Sequence, residues 1–195
     1  GVENLVHHIE TVKKSGITPV VAINDFPTDT EKERDIIRKA AEGAGAKVAL
    51  SKHWLKGGEG ARELAEAVIE AAEEKSDFKR LYDANTPIKE SIERIAREVY
   101  GADGVSYNEE AEAKIKKIEE DPEVSKYGIC VAKTQFSLTH DPALKGRPKG
   151  WTLPIKDVSV YHGAELVVPF AGDIKLMPGT ASDPAYRRID VDVDF

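Results

Sequence analysis

Thr18-Pro-Val-Val-Ala-Ile-Asn-Asp-Phe-Pro-Thr-Asp-Thr30 changes character within one residue, and the fold follows from that change. Val20 to Ile23 is a short, β-branched apolar run between a Gly-Ile-Thr-Pro entry and a polar exit, the pattern of a strand buried on both faces. Asn24, Asp25, Phe26 and Pro27 then form a polar loop, and the Thr-Asp-Thr cluster ending at Thr30 can cap a helix that starts near Glu31. A buried parallel strand that empties into a loop and then a helix puts the loop at the carboxyl edge of the sheet, where open α/β folds bind ligands. The loop from Asn24 to Asp29 is therefore the first candidate site.

The flanking sequence repeats the unit. Before it, Val2, Leu5, Val6, Ile9 and Val12 recur at helical spacing up to a stop at Ser15-Gly16. His7 and His8, adjacent on that helix, point about 100° apart and read as surface or edge residues. After it come a helix to Gly43, a second strand over Ala46 to Leu50, a polar loop from Ser51 to Gly60, and a third helix from about Ala61 to Glu74 with Leu64, Ala65, Val68, Ile69 and Ala72 inward. Strand, loop and helix twice in succession, with right-handed crossovers, place both loops on the same edge of one parallel sheet, so that Phe26 and Trp54 face each other.

Further on, Asn85-Thr86-Pro87 starts a helix carrying Ile88, Ile92, Ile95, Ala96 and Val99 on one side. Tyr100 to Gly104 breaks it, and Asn108 can cap another helix running to about Glu120. From Gly128 the texture becomes β: Ile129 to Ala132, Trp151 to Tyr161, Ala164 to Phe170 and a tail near Ile174 to Met177, with antiparallel pairing expected. The boundary between the two textures predicts domains at 1–103 and 104–195.

Composition excludes several classes. A net charge of −7 with the basic residues spread among acids does not suit a nucleic-acid surface. The single cysteine, Cys130, rules out a disulfide framework and, inside an apolar run, reads as a buried thiol. No apolar run approaches membrane-spanning length and no Cys/His set has zinc spacing, so neither a membrane partner nor a bound metal is expected from these residues. The chain opens on Gly1 rather than Met, as a processed start or a piece of something longer would.

Four groups carry candidate chemistry. Asn24-Asp-Phe-Pro27 resembles the base-recognition loop of P-loop NTPases, where an Asn offers donor and acceptor to a purine edge; the competing reading is an ordinary loop. Phe26 and Trp54, both in polar loops at the ligand edge, can sandwich a flat heterocycle; the competing reading puts both in the core. Lys56-Gly57-Gly58-Glu-Gly60, ahead of a helix, is a candidate anion or loop contact together with Asp29, although a flexible connection has the same composition. Lys133, Thr134 and Gln135 follow a strand and present polar groups suited to a nucleotide, or simply to closing a turn. A Walker A motif is absent from the chain.

Five blocks in order then carry a resemblance. Val20 to Thr30, Val48-Ala-Leu-Ser51 with Trp54 to Gly60, Tyr100 to Val105, Cys130 to Leu138 with Asp141-Pro142, and Gly172-Asp-Ile174 with Met177-Pro-Gly179 together resemble formate–tetrahydrofolate ligase. The resemblance implies an ATP-dependent reaction in which formate becomes formyl phosphate and the formyl group passes to N10 of tetrahydrofolate. It implies that Phe26 and Trp54 stack the pterin, with Leu50 as a pocket wall. Asn24, Lys133, Thr134 and Gln135 would then belong to the nucleotide side. It further implies Mg2+ with ATP, a stimulating monovalent cation, a cytoplasmic homotetramer, and a fold in which this chain is the C-terminal part of a P-loop-NTPase-like parallel α/β sheet followed by a smaller α+β domain. Members of that family are much longer and carry the Walker A loop in a part preceding Gly1, so catalysis would require that N-terminal complement. The tail from Gly179, with Thr180-Ala-Ser-Asp-Pro184, departs from the family pattern. The rival expectation is a non-catalytic folate- or nucleotide-binding module or assembly partner.

Overall fold

The computed structural model describes residues 1–174 and 182–190. Helix α1 (Val2–Lys14) ends at Ser15 and turns through Gly16, whose φ is +76°. Glycine is required there, because a Cβ would stand 1.8 Å from the carbonyl oxygen of Asp77. Strand β1 (Val20–Asn24) leads through the polar loop to α2 (Glu31–Gly43). Thr30 starts α2 with a reciprocal cap: its Oγ1 accepts from the Glu33 N–H at 3.3 Å, and the Glu33 carboxylate accepts from the Thr30 N–H at 2.9 Å.

Strand β2 (Lys47–Ser51) runs parallel to β1, Val20 opposite Lys47 and Asn24 opposite Ser51. A short helix, α3 (His53–Lys56), and a 3-10 turn over Gly57–Ala61 then lead to α4 (Arg62–Glu73). Leu5 and Ile9 of α1, with Ala41 of α2, pack on Val21 and Val48. Val20, pointing the other way along the pleat, lies with Val68 and Ala71 of α4. The two-stranded sheet thus has α1 and α2 on one face and α4 on the other.

A second core begins at α5 (Ile88–Glu98), continues through β3 (Gly104–Tyr107), α6 (Glu109–Glu119) and β4 (Gly128–Ile129), and closes with β5 (Thr152–Tyr161) and β6 (Leu166–Ala171). The sheet order is β3-β5-β6-β4. Ile88, Ile92, Ile115, Leu153, Ile155 and Val167 form its interior, so the two apolar cores separate between α4 and α5. Asn108 caps α6 by accepting from the Ala111 N–H at 2.9 Å.

Several expectations are corrected. Strand β1 is not covered on both faces: Ala22 and Asn24, on the side of α4, are exposed, because α4 packs mainly over β2. On α4 it is Leu64, Ala67 and Ala71 that are half-buried, while Ala65, Val68, Ile69 and Ala72 are exposed. The second sheet is mixed rather than antiparallel, since only β5 and β6 run antiparallel and the pairs β3/β5 and β4/β6 are parallel. His7 is buried, its Nε2 2.7 Å from the Val99 carbonyl, because the end of α5 covers that side of α1. Cys130 is exposed, since β4 stops at Ile129 and the chain regains the sheet only at the Ala132–Phe170 bridge. The strand expected near Ile174 to Met177 falls, beyond Ile174, outside the described residues.

Candidate ligand site at the sheet edge

Parallel pairing puts the loops after β1 and β2 side by side. The join continues one residue past the strands, where the Asp25 N–H donates to the Ser51 carbonyl at 2.9 Å. The first loop is rigid by construction: the Phe26 N–H donates to the Asp29 carboxylate at 2.8 Å, and the Asp29 N–H returns to the Phe26 carbonyl at 2.9 Å. The second is pinched at its neck, where the Lys52 N–H donates to the Gly60 carbonyl at 2.8 Å. Only glycine permits that approach, since a Cβ at position 60 would lie 2.4 Å from the Lys52 carbonyl oxygen. Trp54 sits near the tip of this closed loop, on the short helix α3.

The two rings meet. Their centroids are 5.4 Å apart and their planes inclined by 33°. Both are open to solute, Phe26 44% and Trp54 52% exposed. The indole N–H of Trp54 donates to the Asp25 carbonyl at 3.3 Å. Optimal contact between stacked carbons is about 3.5–4.0 Å, so a flat ring held between two others needs a gap of roughly 7 Å. The rings therefore lie in direct contact, short of a ligand's thickness by on the order of 2 Å.

Beneath the pair lies a charge cluster that sequence reasoning did not single out. The Asp25 carboxylate is buried; Arg34 on α2 donates to its Oδ1 at 2.7 Å and Lys52 stands 3.3 Å from its Oδ2. The Arg34 hydrogen bond is the main cause that holds the Asp25 carboxyl below its usual range; burial opposes it and Lys52 adds to it. Arg34 also donates to the Asp29 carbonyl at 3.2 Å, so one guanidinium ties both ends of the first loop. The available signal was a single charged residue directly after an apolar strand, with Arg34 in the first turn of the next helix.

Geometry of this kind brings two exposed rings together at a sheet edge without naming what they serve. A profile for formate–tetrahydrofolate ligase matches residues 1–194. The chain belongs to that family. A formate–tetrahydrofolate ligase of Desulfotalea psychrophila is 60% identical over 193 residues, covering 99% of this chain and 35% of the relative. Ligases of the same name from Syntrophobacter fumaroxidans and Dehalococcoides mccartyi are 57% and 59% identical, covering 100% and 98% of this chain and 33% and 32% of theirs. The chain thus spans about a third of the length of the curated ligases it matches.

The other predicted residues lie on several separate segments. Leu50, half-buried, occupies the penultimate position of β2, its N–H donating to the Glu63 carboxylate at 3.0 Å. Asn24 is exposed at the end of β1, on a groove of about 710 Å³ that Asp29 also lines. Lys56, Gly57 and Gly58 lie in the exposed turn that returns from Trp54 to α4. Lys133 is folded onto its own loop: its amine donates to the carbonyls of Thr134 and Ser137 and lies 5.0 Å from the centre of the Tyr100 ring. Burial lowers its pKa. Thr134 is half-buried and Gln135 exposed beside it. Among the described residues no helix is long and apolar enough to cross a membrane.

Proposed function

We propose that this chain is the pterin-binding part of a formate–tetrahydrofolate ligase, working with a complement that carries the phosphate-binding loop. The observation that carries this reading is the pair of exposed rings, Phe26 and Trp54, brought face to face at the carboxyl edge of a parallel sheet. In this reading the pterin enters between the rings with Leu50 as its side wall. Two hydrogen bonds aimed at the first loop, from Arg34 and from the Trp54 indole, hold the cleft in register. The overall reaction joins formate to N10 of tetrahydrofolate by way of formyl phosphate, with ATP as phosphoryl donor.

Within that reaction this chain orients the amine acceptor. The rings fix the pterin plane, and excluding water from the cleft protects the activated formyl group from hydrolysis. Asn24 would offer its amide to the nucleotide base, and Thr134 and Gln135 polar contacts beside it. Asp29, Lys56, Gly57 and Gly58 would line the approach. The P-loop-NTPase-like sheet, the cytoplasmic location and the homotetramer belong to the same proposal; Val68 and Ile69, about half exposed on α4, suit contact with further protein. Mg2+, held mainly by the complement, and a monovalent cation belong to the same proposal.

The test uses this chain with and without the N-terminal two thirds of the Desulfotalea psychrophila ligase. Tetrahydrofolate binding by the chain alone, with 10-formyltetrahydrofolate formed only in the mixture, supports the proposal. Binding without restored turnover favours a non-catalytic folate module. No binding in either preparation overturns it.

A further inference from the structure

The two edges of the first sheet are finished differently. In a parallel ladder alternate residues of a strand face the partner. Asp25 donates to Ser51 and Lys47 to Pro19, so the odd-numbered residues of both strands serve the β1/β2 pairing. The outer edge of β2 is therefore formed by Val48 and Leu50, and side chains close it: Glu63 accepts from the Leu50 N–H at 3.0 Å and Arg38 donates to the Val48 carbonyl at 3.4 Å. Arg38 and Glu63 stand 3.6 Å apart, so the two plugs also hold each other. Charged side chains that consume edge groups are how a sheet ends. The outer edge of β1 is formed by Val20, Ala22 and Asn24. Among the described residues nothing bonds to the backbone groups of these three on that side.

What flanks the open edge is apolar. A groove of about 710 Å³ runs beside it, lined by Val2, Leu5, Val21, Ile36 and Ile37 among others, and Ile36 is 50% exposed. On the other face, next to Val20, Val68 and Ile17 are 49% and 42% exposed.

Handedness says what belongs there. Helix α2 carries the chain from β1 to β2, and α1 packs beside α2 on the same face. A strand feeding α1 through a right-handed crossover, the hand of about 98% of such connections, must then lie on the side of β1 away from β2. Gly1 and Val2, at the start of α1, line the groove with Asn24, the last residue of β1. A parallel strand in the groove would end at that point and pass into α1 with a short turn.

We propose that the open edge of β1 receives a parallel β-strand from the ligase portion that the relatives carry and this chain lacks, the segment leading into α1. The proposal rests on the split-ligase reading above and identifies where the two parts join. The face of that strand toward α1 and α2 must be apolar, and its backbone pairs with Val20, Ala22 and Asn24.

Hydrogen exchange followed by mass spectrometry tests it, with the N-terminal two thirds of the Desulfotalea psychrophila ligase as the added partner. Peptides covering 20–24 should slow by at least about tenfold on mixing, while those covering 47–51 stay unchanged. Ala22→Pro removes an N–H that the β2 ladder does not use, and Ile36→Glu puts a charge on the exposed wall of the groove; each should weaken association by roughly tenfold or more. Ile36→Glu changes an exposed helix position and leaves the fold of the chain intact. Association and restored turnover without protection of 20–24 would overturn the docking site and leave the ligase reading standing. Absence of association and turnover overturns both. Protection of 20–24 in the chain alone, rising with its concentration, means that a second copy occupies the edge and overturns the assignment.

Discussion

On the proposal that Phe26 and Trp54 stack the pterin, their contact in the free chain means that their contributions to binding should not add. Let each ring gain about 2 kcal/mol from the pterin, the middle of the range for an aromatic anchor. Opening the pair gives up the ring–ring contact now seen at 5.4 Å, worth about 1 kcal/mol. Removing either ring loses one stacking contact but also removes the need to open the pair, so Phe26→Ala or Trp54→Ala alone costs about 1 kcal/mol, a fivefold rise in Kd. The double substitution loses both stacking contacts and spares the opening only once, a cost of about 3 kcal/mol or roughly 150-fold. The double mutant should therefore exceed the sum of the singles by about 1 kcal/mol, the strength of the contact that must open. Isothermal titration of tetrahydrofolate into the four proteins measures this directly. Additive losses would show that the rings do not separate around the ligand. A single ring carrying the whole effect would show that the ligand lies against one outer face.

Three further outcomes follow from the same geometry. Asp25 ionises below its ordinary value of 3.8, so the stabilisation that its pairing provides is complete above that pH and is lost only as the pH falls through the lower folded value; with Trp151→Phe leaving Trp54 as the sole indole, its emission should hold down to about pH 4 and red-shift below it, and a midpoint near 5 would contradict the pairing. Thr30→Ala removes the reciprocal cap of α2 and should lower stability by about 1 kcal/mol in urea titration, whereas no loss would mean that the loop, not the cap, starts the helix. Leu153→Ala, in the fully buried interior of the second core, should cost about 2–5 kcal/mol by the same method, with a loss under 1 kcal/mol inconsistent with that packing.

The β1–α2–β2 unit was legible because every local signal agreed: a β-branched run, a Thr cap with Glu three residues on, and a glycine turn. Placement of Phe26 and Trp54 on one edge followed from the crossover rule alone. Their contact did not, because ring separation depends on the pinched neck at Lys52 and Gly60 and on the Asp25 cluster, which are tertiary facts. Strand β3 escaped notice because four residues led by a glycine carry too little periodicity to stand against the breaker before them. Parallel pairing of β3 with β5 and of β4 with β6 joins segments far apart in the chain, which alternation does not encode.

The misread positions on β1 and α4 have a common cause. Ala22, Ala65, Val68, Ile69 and Ala72 sit in apolar patterns that argue for burial, and all five are exposed. His7 and Cys130, by contrast, depend on where a neighbouring segment happens to stop. Hydrophobic periodicity reports the surface a segment is adapted to hide, not the surface its own chain can cover. Ala22 lies on the unplugged edge of β1, and Val68 flanks that edge near Val20. Part of the excess of apolar pattern over apolar burial thus lies where handedness calls for another strand, and solvent accessibility at Ala22 in the joined assembly decides between a missing neighbour and a pattern without structural meaning.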